Sequence, residues 1–166
     1  VGHHVGGAPK YNERWSGLDW FTSEGQADYF ATLQCLRRLW DQDDNSAYAR
    51  VEAAHPAVWD ACAGSYADPR DLGLCVRMGM AAHANGALLA QSGAVPDFAT
   101  PSTEVVARSL SGHPAAQCRL DTYLQGAICA KDHNGEVSQE DEVPGSCHRL
   151  AGDTVGLRPP CWFRTR

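Results

Sequence analysis

Residues 22–40 read TSEGQADYFATLQCLRRLW, and this stretch carries the clearest helical pattern in the chain. Thr22 and Ser23 are residue types that cap helix N-termini, and Glu24 places an acid in the first turn, where the helix dipole favours it. Apolar side chains then recur every three or four residues, at Ala27, Phe30, Ala31, Leu33, Leu36, Leu39 and Trp40. This spacing predicts an amphipathic helix rather than a strand.

The same criteria, applied to the rest of the chain, predict a mainly α fold. Helical patterns cover AYARVEAA (47–54), PAVWDACAG (56–64), DPRDLGLCVRMGMAAHANGALLAQSG (68–93) and PAAQCRLDTYLQGAICA (114–130). Prolines near the starts of these segments and glycines near their ends are typical helix boundaries. Between the last two helices we predict a loop with a short element at Glu104–Leu110.

Beyond Lys131 the chain becomes polar and rich in Gly and Pro, which predicts an irregular C-terminal tail. Cys147 and Cys161 lie in this tail, so we expect disulfides to pin it to the helices. No repeat or linker interrupts the chain, and its length suffices for one hydrophobic core. We therefore expect one domain over 1–166, with a metal-site segment (1–40), a helical body (41–130) and the tail (131–166).

Composition and charge exclude two classes of partner. Twenty acidic residues against fourteen basic ones give a formal net charge of -6, and the only basic cluster in a helix is Arg37 with Arg38. A nucleic-acid backbone is therefore a poor partner. No apolar run approaches the roughly 20 residues that a membrane span needs, so we expect no membrane insertion.

Seven cysteines are many for a cytosolic chain of this length, and none forms a CxxC pair. This favours disulfides in an exported protein, secreted or periplasmic. The alternative is buried reduced thiols that pack as small apolar groups. An odd count leaves one sulfur either as a free thiol or with a partner outside the quoted chain.

The start of the chain combines histidines and carboxylates in a pattern that suits zinc. Glu24 and Asp28 are four residues apart, so they share one face of the predicted helix, and that face continues into small and apolar residues. His3 and His4 supply imidazole nitrogens from a second segment, and zinc binds both ligand types. The alternatives are a solvated acidic face and a frayed, exposed pair of terminal histidines.

These residues resemble part of the signature of thermolysin-like (gluzincin) zinc peptidases. That family carries H-E-x-x-H on one helix and a third ligand, a glutamate, on the next helix, followed one turn later by an aspartate that orients a ligand histidine. VGH (1–3) is similar to the end of H-E-x-x-H, and SEGQAD (23–28) to the downstream helix. The resemblance implies that His3 and Glu24 are zinc ligands and that Asp28 is the orienting residue. It also implies the C-terminal helical half of a zincin as the fold.

The chain departs from this family at its start, because the first histidine and the general-base glutamate would precede Val1. We therefore expect a truncated or processed relative, whose third zinc ligand is Asp28, His4 or a residue of a second copy. A helix face left uncovered by truncation would favour a homo-oligomer.

The function expected from these features is zinc-dependent hydrolysis. Without the glutamate base, activated esters or phosphate esters are better substrates than peptides, because cleaving an amide requires a proton to be carried to the leaving amine. GHPAAQCRLDTY (112–123) adds three catalytic candidates, His113, Arg119 and Tyr123, because the resemblance implies a histidine or tyrosine of the helical half that stabilises the oxyanion. The alternatives are a capping histidine, an Arg119–Asp121 ion pair and a core tyrosine.

A second function class remains open, namely a non-catalytic, disulfide-stabilised helical module that binds metal or peptide without turnover. The remaining histidines do not pair at ligand spacing, and we interpret His55 and His83 as structural. WSGLDWF (15–21) is either part of a substrate cleft or part of the core.

Overall fold

A computed structural model describes residues 1–11, 21–50, 54–90 and 93–165, and in these residues the protein is mainly helical, as predicted. The elements in chain order are α1 (Gly2–Val5), β1 (Lys10–Tyr11), β2 (Phe21–Thr22), α2 (Glu24–Phe30), α3 (Leu36–Trp40), α4 (Pro56–Ala63), α5 (Pro69–Leu89) and α6 (Ala116–Ile128). The two short strands pair antiparallel, with Lys10 opposite Thr22.

The helix predicted over 22–40 forms as one continuous helical segment from Glu24 to Trp40 with a wider turn in its middle, while Thr22 belongs to β2. Ser23 caps its start, because its side-chain oxygen accepts a hydrogen bond from the Gln26 amide at 3.3 Å. A π-helical turn, Ala31–Cys35, joins α2 to α3. Such single turns are inserted where packing or function requires a local change of the helix.

Helix α6 packs against both α5 and the α2 segment. Its close approach to the π-helical turn depends on Gly126, since a β-carbon there would collide with the Tyr29 carbonyl and the Thr32 hydroxyl. The Thr32 hydroxyl donates to the Tyr123 carbonyl at 2.7 Å, which ties the two helices together. This crossing brings α6 side chains next to those of α2.

Two groups of buried apolar residues form the core. One lies among α4, α5 and α6 and includes Val58, Leu74, Val76, Met78 and Leu120. The other joins α2 to the C-terminal tail and includes Tyr29, Phe30, Leu33, Trp162 and Phe163. The C-terminal tail therefore packs against α2 and supports it.

Three disulfides pin the tail and the helices, as expected for most of the cysteines. Cys118–Cys161 and Cys129–Cys147 connect the tail to α6 and its end, and Cys62–Cys75 links α4 to α5. Cys35 is the free thiol. The prediction of an irregular, disulfide-pinned tail is confirmed, with one 3₁₀ turn at Arg149–Ala151 inside it.

Two predicted elements differ from the structure. The short element at Glu104–Leu110 is neither helix nor strand, because the Val106 and Leu110 amides donate to the tail carbonyls of Pro160 and Trp162 at 3.0 and 2.8 Å. In the described part of AYARVEAA the regular structure is a 3₁₀ turn, Ser46–Tyr48, at which the Asp44 carboxylate accepts a hydrogen bond from the Ser46 amide at 3.0 Å. Residues 51–53 of that segment lie outside the described residues.

Within the described ranges, no helix combines the length and the apolar character that crossing a bilayer requires.

Candidate functional site

The Thr22 backbone carbonyl holds the His3 ring in a defined orientation. It lies on α1, and its Nδ1 is 2.8 Å from the Thr22 carbonyl oxygen. A carbonyl oxygen only accepts hydrogen bonds, so Nδ1 carries the proton and donates it. In the neutral ring the lone pair is then on Nε2. A histidine that ligates a metal is oriented by this kind of hydrogen bond from its other nitrogen.

Glu24, the first residue of α2, contacts the His3 ring through its carboxylate. Its Oε1 is 3.2 Å from His3 Nε2, and its Oε2 is 3.1 Å from His113 Nδ1. A third group, Arg119 Nη2, lies 4.0 Å from Oε2. The Glu24 side chain is 19% exposed, so this carboxylate is sheltered but reachable from solvent.

One turn further along α2, Asp28 is buried and is bound by two groups of α6. Arg119 holds it with both Nε and Nη2, at 2.6 and 2.8 Å, and Tyr123 donates its hydroxyl at 2.6 Å. A two-pronged guanidinium–carboxylate pair is among the strongest polar contacts in proteins. Asn85 of α5 completes the network by donating to the Tyr123 oxygen at 3.2 Å.

These contacts fix the protonation states of Arg119 and Tyr123. The hydrogen bond to Asp28 raises the pKa of Arg119, which therefore stays a cation. Burial, followed by the charge of Asp28, raises the pKa of Tyr123, so its hydroxyl stays protonated and donates to Asp28. Tyr123 thus positions Asp28, and its proton is not free for an oxyanion.

Most of the site residues predicted from the sequence lie close together in the structure. The structure brings His3, Glu24 and Asp28 together with His113, Arg119 and Tyr123, although about 90 residues separate the two sets. His4 does not join them: it is exposed, and within the described residues its ring makes no hydrogen bond or ion pair. Arg119 pairs with Asp28 rather than with Asp121, which binds the Ser102 amide and Gln117.

The fit to zinc is good for two ligands and incomplete for a third. Two ligands of one tetrahedral zinc ion, at bonds of about 2.0–2.1 Å, lie roughly 3.3 Å apart, close to the 3.2 Å between His3 Nε2 and Glu24 Oε1. Asp28 does not complete the set, because Arg119 and Tyr123 occupy both of its oxygens. In the described part of the chain no group of three or more His, Cys, Asp or Glu side chains is arranged to hold a metal ion.

Two contributors were not visible in the sequence. The Thr22 carbonyl orients His3, but a backbone group leaves no mark on residue identity. Asn85 reaches Tyr123 from a different helix, and only the α5–α6 packing places it there. Of the stretch WSGLDWF, residues 15–20 lie outside the described residues.

His55, His83 and His133 contact other groups, away from the candidate site. His55 caps α4 through Nδ1, which accepts from the Ala57 amide at 3.2 Å, and its ring contacts those of His83 and Phe98. His133 lies 3.4 Å from Asp41.

Comparison with protein-family models, with curated proteins and with solved structures found no match to this chain.

Proposed function

We propose that this protein is a zinc-dependent hydrolase whose metal site is built on His3 and Glu24. One observation carries the proposal. With Nδ1 donating to Thr22, the His3 Nε2 lone pair faces a carboxylate oxygen of Glu24 at 3.2 Å. Two acceptors at this distance repel unless a positive charge lies between them, either a proton on the ring or a cation.

The spacing of these two atoms favours zinc as that cation, because it matches two ligands of a tetrahedral site. His113 is the remaining side chain next to Glu24 that offers a ligand nitrogen, and its exposed loop position leaves it accessible. Bound zinc would supply a water whose pKa is lowered to about 7, and therefore hydroxide at neutral pH.

The chain's own residues would then stabilise the negative charge that develops on the substrate and hold the stabilising group in place. Arg119 uses Nε and Nη2 for Asp28, and its charge lies 4.0 Å from Glu24, beside the proposed metal site. A fixed cation in this place favours the negative charge that develops on a substrate oxygen. Tyr123 and Asp28 act as positioning residues for Arg119.

The substrate class follows from what the cluster lacks. Within the described residues, its carboxylates, Glu24 and Asp28, are both engaged and neither is free to carry a proton to a leaving amine. Activated esters and phosphate esters have leaving groups that need no such proton. We therefore propose small esters or phosphoesters as better substrates than peptides.

The disulfides bear on where this chemistry takes place. Three disulfides, two of them buried in the second core group, are typical of proteins that fold in an oxidising compartment. We propose a secreted or periplasmic location.

A non-catalytic helical module is the second candidate, and one observation favours it. Asp28 and Arg119 already neutralise each other, and the Tyr123 hydroxyl adds a hydrogen bond to Asp28, as in a purely structural network. In that case the positive charge between His3 and Glu24 is a proton.

Metal content and turnover separate the two candidates. We expect about one zinc per chain by elemental analysis, and hydrolysis of p-nitrophenyl acetate that stops with a chelator and returns with zinc. His3→Ala and Glu24→Gln should each lower zinc affinity by at least about tenfold. His4→Ala is the matched control, because it removes an exposed imidazole from the same short helix, and it should leave both readouts unchanged. Equal turnover by metal-free and zinc-loaded protein would refute the proposal.

A further inference from the structure

A cavity at the C-terminal tail shares no residue with the His3–Glu24 site. Its volume is about 290 Å³, at the small end of the range for ligand sites. The charged and titratable residues that line it are Arg149, Arg158, Arg164 and His148, and no described residue of its wall is acidic. The rest of the wall is largely apolar and includes Leu157 and Phe163.

Arg158 is the buried member of this set, with 5% of its surface exposed. Among the described residues its guanidinium donates to neutral oxygens, those of the Ala8 and Glu142 carbonyls and of the Gln26 side chain. Its Nε is buried without any hydrogen-bond partner. Within the described residues no carboxylate pairs with this buried cation.

Burying the Arg158 cation without a carboxylate partner lowers the stability of the folded protein. A buried charge needs an opposite charge or a full set of hydrogen bonds, and Arg158 has neither. The Phe163 ring lies 4.1 Å from the guanidinium carbon and covers one face, which offsets part of the cost. The side chains of Glu142 and Asp141 act on it only through space and line the neighbouring cleft.

His148 adds a neutral donor to the same wall. Its Nδ1 accepts the Leu150 amide at 3.1 Å, so in the neutral ring the proton is on Nε2. Burial, followed by the charge of Arg158, lowers the pKa of His148 and keeps the ring neutral. Arg149 and Arg164 are exposed at the rim, and within the described residues neither has a carboxylate partner.

We propose that this cavity binds a small organic oxyanion, a carboxylate or a phosphate carried on an apolar group. The anion would lie among the three arginines, and its apolar part against Leu157 and Phe163. This site is separate from the proposed hydrolase and does not depend on zinc.

Three probes of similar shape test the ligand class by isothermal titration calorimetry on the full, disulfide-bonded chain. They are phenyl phosphate, phenylacetate and the neutral phenylacetamide. We expect saturable one-site binding of at least one anion and none of the amide. The stronger of the two anions identifies the preferred head group. If neither anion binds saturably up to about 10 mM, or if the amide binds as well as phenylacetate, the proposal is overturned.

Variants test the location. Arg158 also holds three neighbours, so its replacement risks unfolding, and the rim residues serve instead. Arg149→Ala with Arg164→Ala should weaken anion binding at least about tenfold. Arg108→Ala removes one arginine charge from the neighbouring cleft and should change anion binding less than about twofold. Equal losses in both variants would show general charge attraction and overturn the site.

A readout at Arg158 itself completes the test. In nitrogen-15 NMR of the wild-type protein, saturation with the bound anion should shift the Arg158 Nε–H resonance. An unchanged Arg158 resonance at saturation would also contradict the proposal.

Discussion

Asp28 is the residue on which the buried charges of the candidate site depend. It lies on α2, is 5% exposed, and receives both Arg119 and Tyr123 from α6. The resemblance to zinc peptidases implied that this aspartate orients a histidine. In the structure it orients an arginine, so the carboxylate fixes a positive charge next to Glu24 and leaves His3 to the Thr22 carbonyl.

Asp28→Asn should therefore destabilise the folded protein. The change leaves the Arg119 cation largely buried without its partner, and we expect a loss of about 2–4 kcal/mol in the free energy of unfolding, measured by urea denaturation. Asp43→Asn is the control, because Asp43 also contacts an arginine, Arg77, at 2.7 Å but is 51% exposed. That pair should contribute less than about 1 kcal/mol. Similar losses for the two variants would contradict the role assigned to Asp28.

At the scale of elements, the crossing of α6 over the π-helical turn positions the site. The turn Ala31–Cys35 presents Thr32 to the Tyr123 carbonyl, and Gly126 lets the two backbones approach. Arg119 and Tyr123 reach Asp28 only because this contact is close. The glycine thus acts on the site from a distance through packing.

Gly126→Ala should move or loosen this crossing. Alanine favours helices, but its β-carbon would meet the Tyr29 carbonyl and Thr32, so we expect a net loss of about 1–3 kcal/mol in stability. Gly112→Ala is the matched control, since a β-carbon there meets nothing within 4 Å. Thermal denaturation of both variants is the measurement. A Gly126→Ala protein as stable as Gly112→Ala would mean that the contact is looser than described.

At the scale of the whole molecule, sulfur bridges hold the irregular tail on the helices. Cys118–Cys161 closes 43 residues and attaches the tail to α6, while Trp162 packs over Gly25 at the start of α2. The tail therefore supports the N-terminal end of α2, where Glu24 lies. Its lack of regular secondary structure does not make it dispensable.

Removing this bridge should destabilise the protein more than removing the shorter one. From loop-closure entropy we expect Cys118→Ser with Cys161→Ser to lower the free energy of unfolding by about 4 kcal/mol. Cys62→Ser with Cys75→Ser, whose separation is 13 residues, should lower it by about 3 kcal/mol. Cys35→Ser changes a free, half-buried thiol and should cost less than about 1 kcal/mol. Denaturation under one fixed oxidising condition compares the three, and a larger loss for Cys35→Ser than for either pair would contradict the assignment.

What the sequence by itself determined is local. The three-to-four-residue apolar spacing of 22–40, the Ser23 cap and the Asp68–Pro69 start of α5 all predict structure that forms, because each depends on residues within a turn or two of one another. The same locality explains the failure at 104–110, where carbonyl oxygens of the distant tail accept the backbone hydrogen bonds. At Ser46–Tyr48 the competitor is itself local, because the Asp44 side chain accepts a hydrogen bond from the Ser46 amide and a 3₁₀ turn forms there.

Only the tertiary structure decided which groups meet. Residue types and spacing selected His3, Glu24, Asp28, His113, Arg119 and Tyr123 as candidates, but they could not show that Asp28 binds Arg119 across 91 positions. Nor could they pair the cysteines or show that Arg158 is buried with no carboxylate partner among the described residues. These outcomes depend on how helices and tail pack, and packing is set by contacts between residues far apart in the chain, which periodicity and capping do not encode.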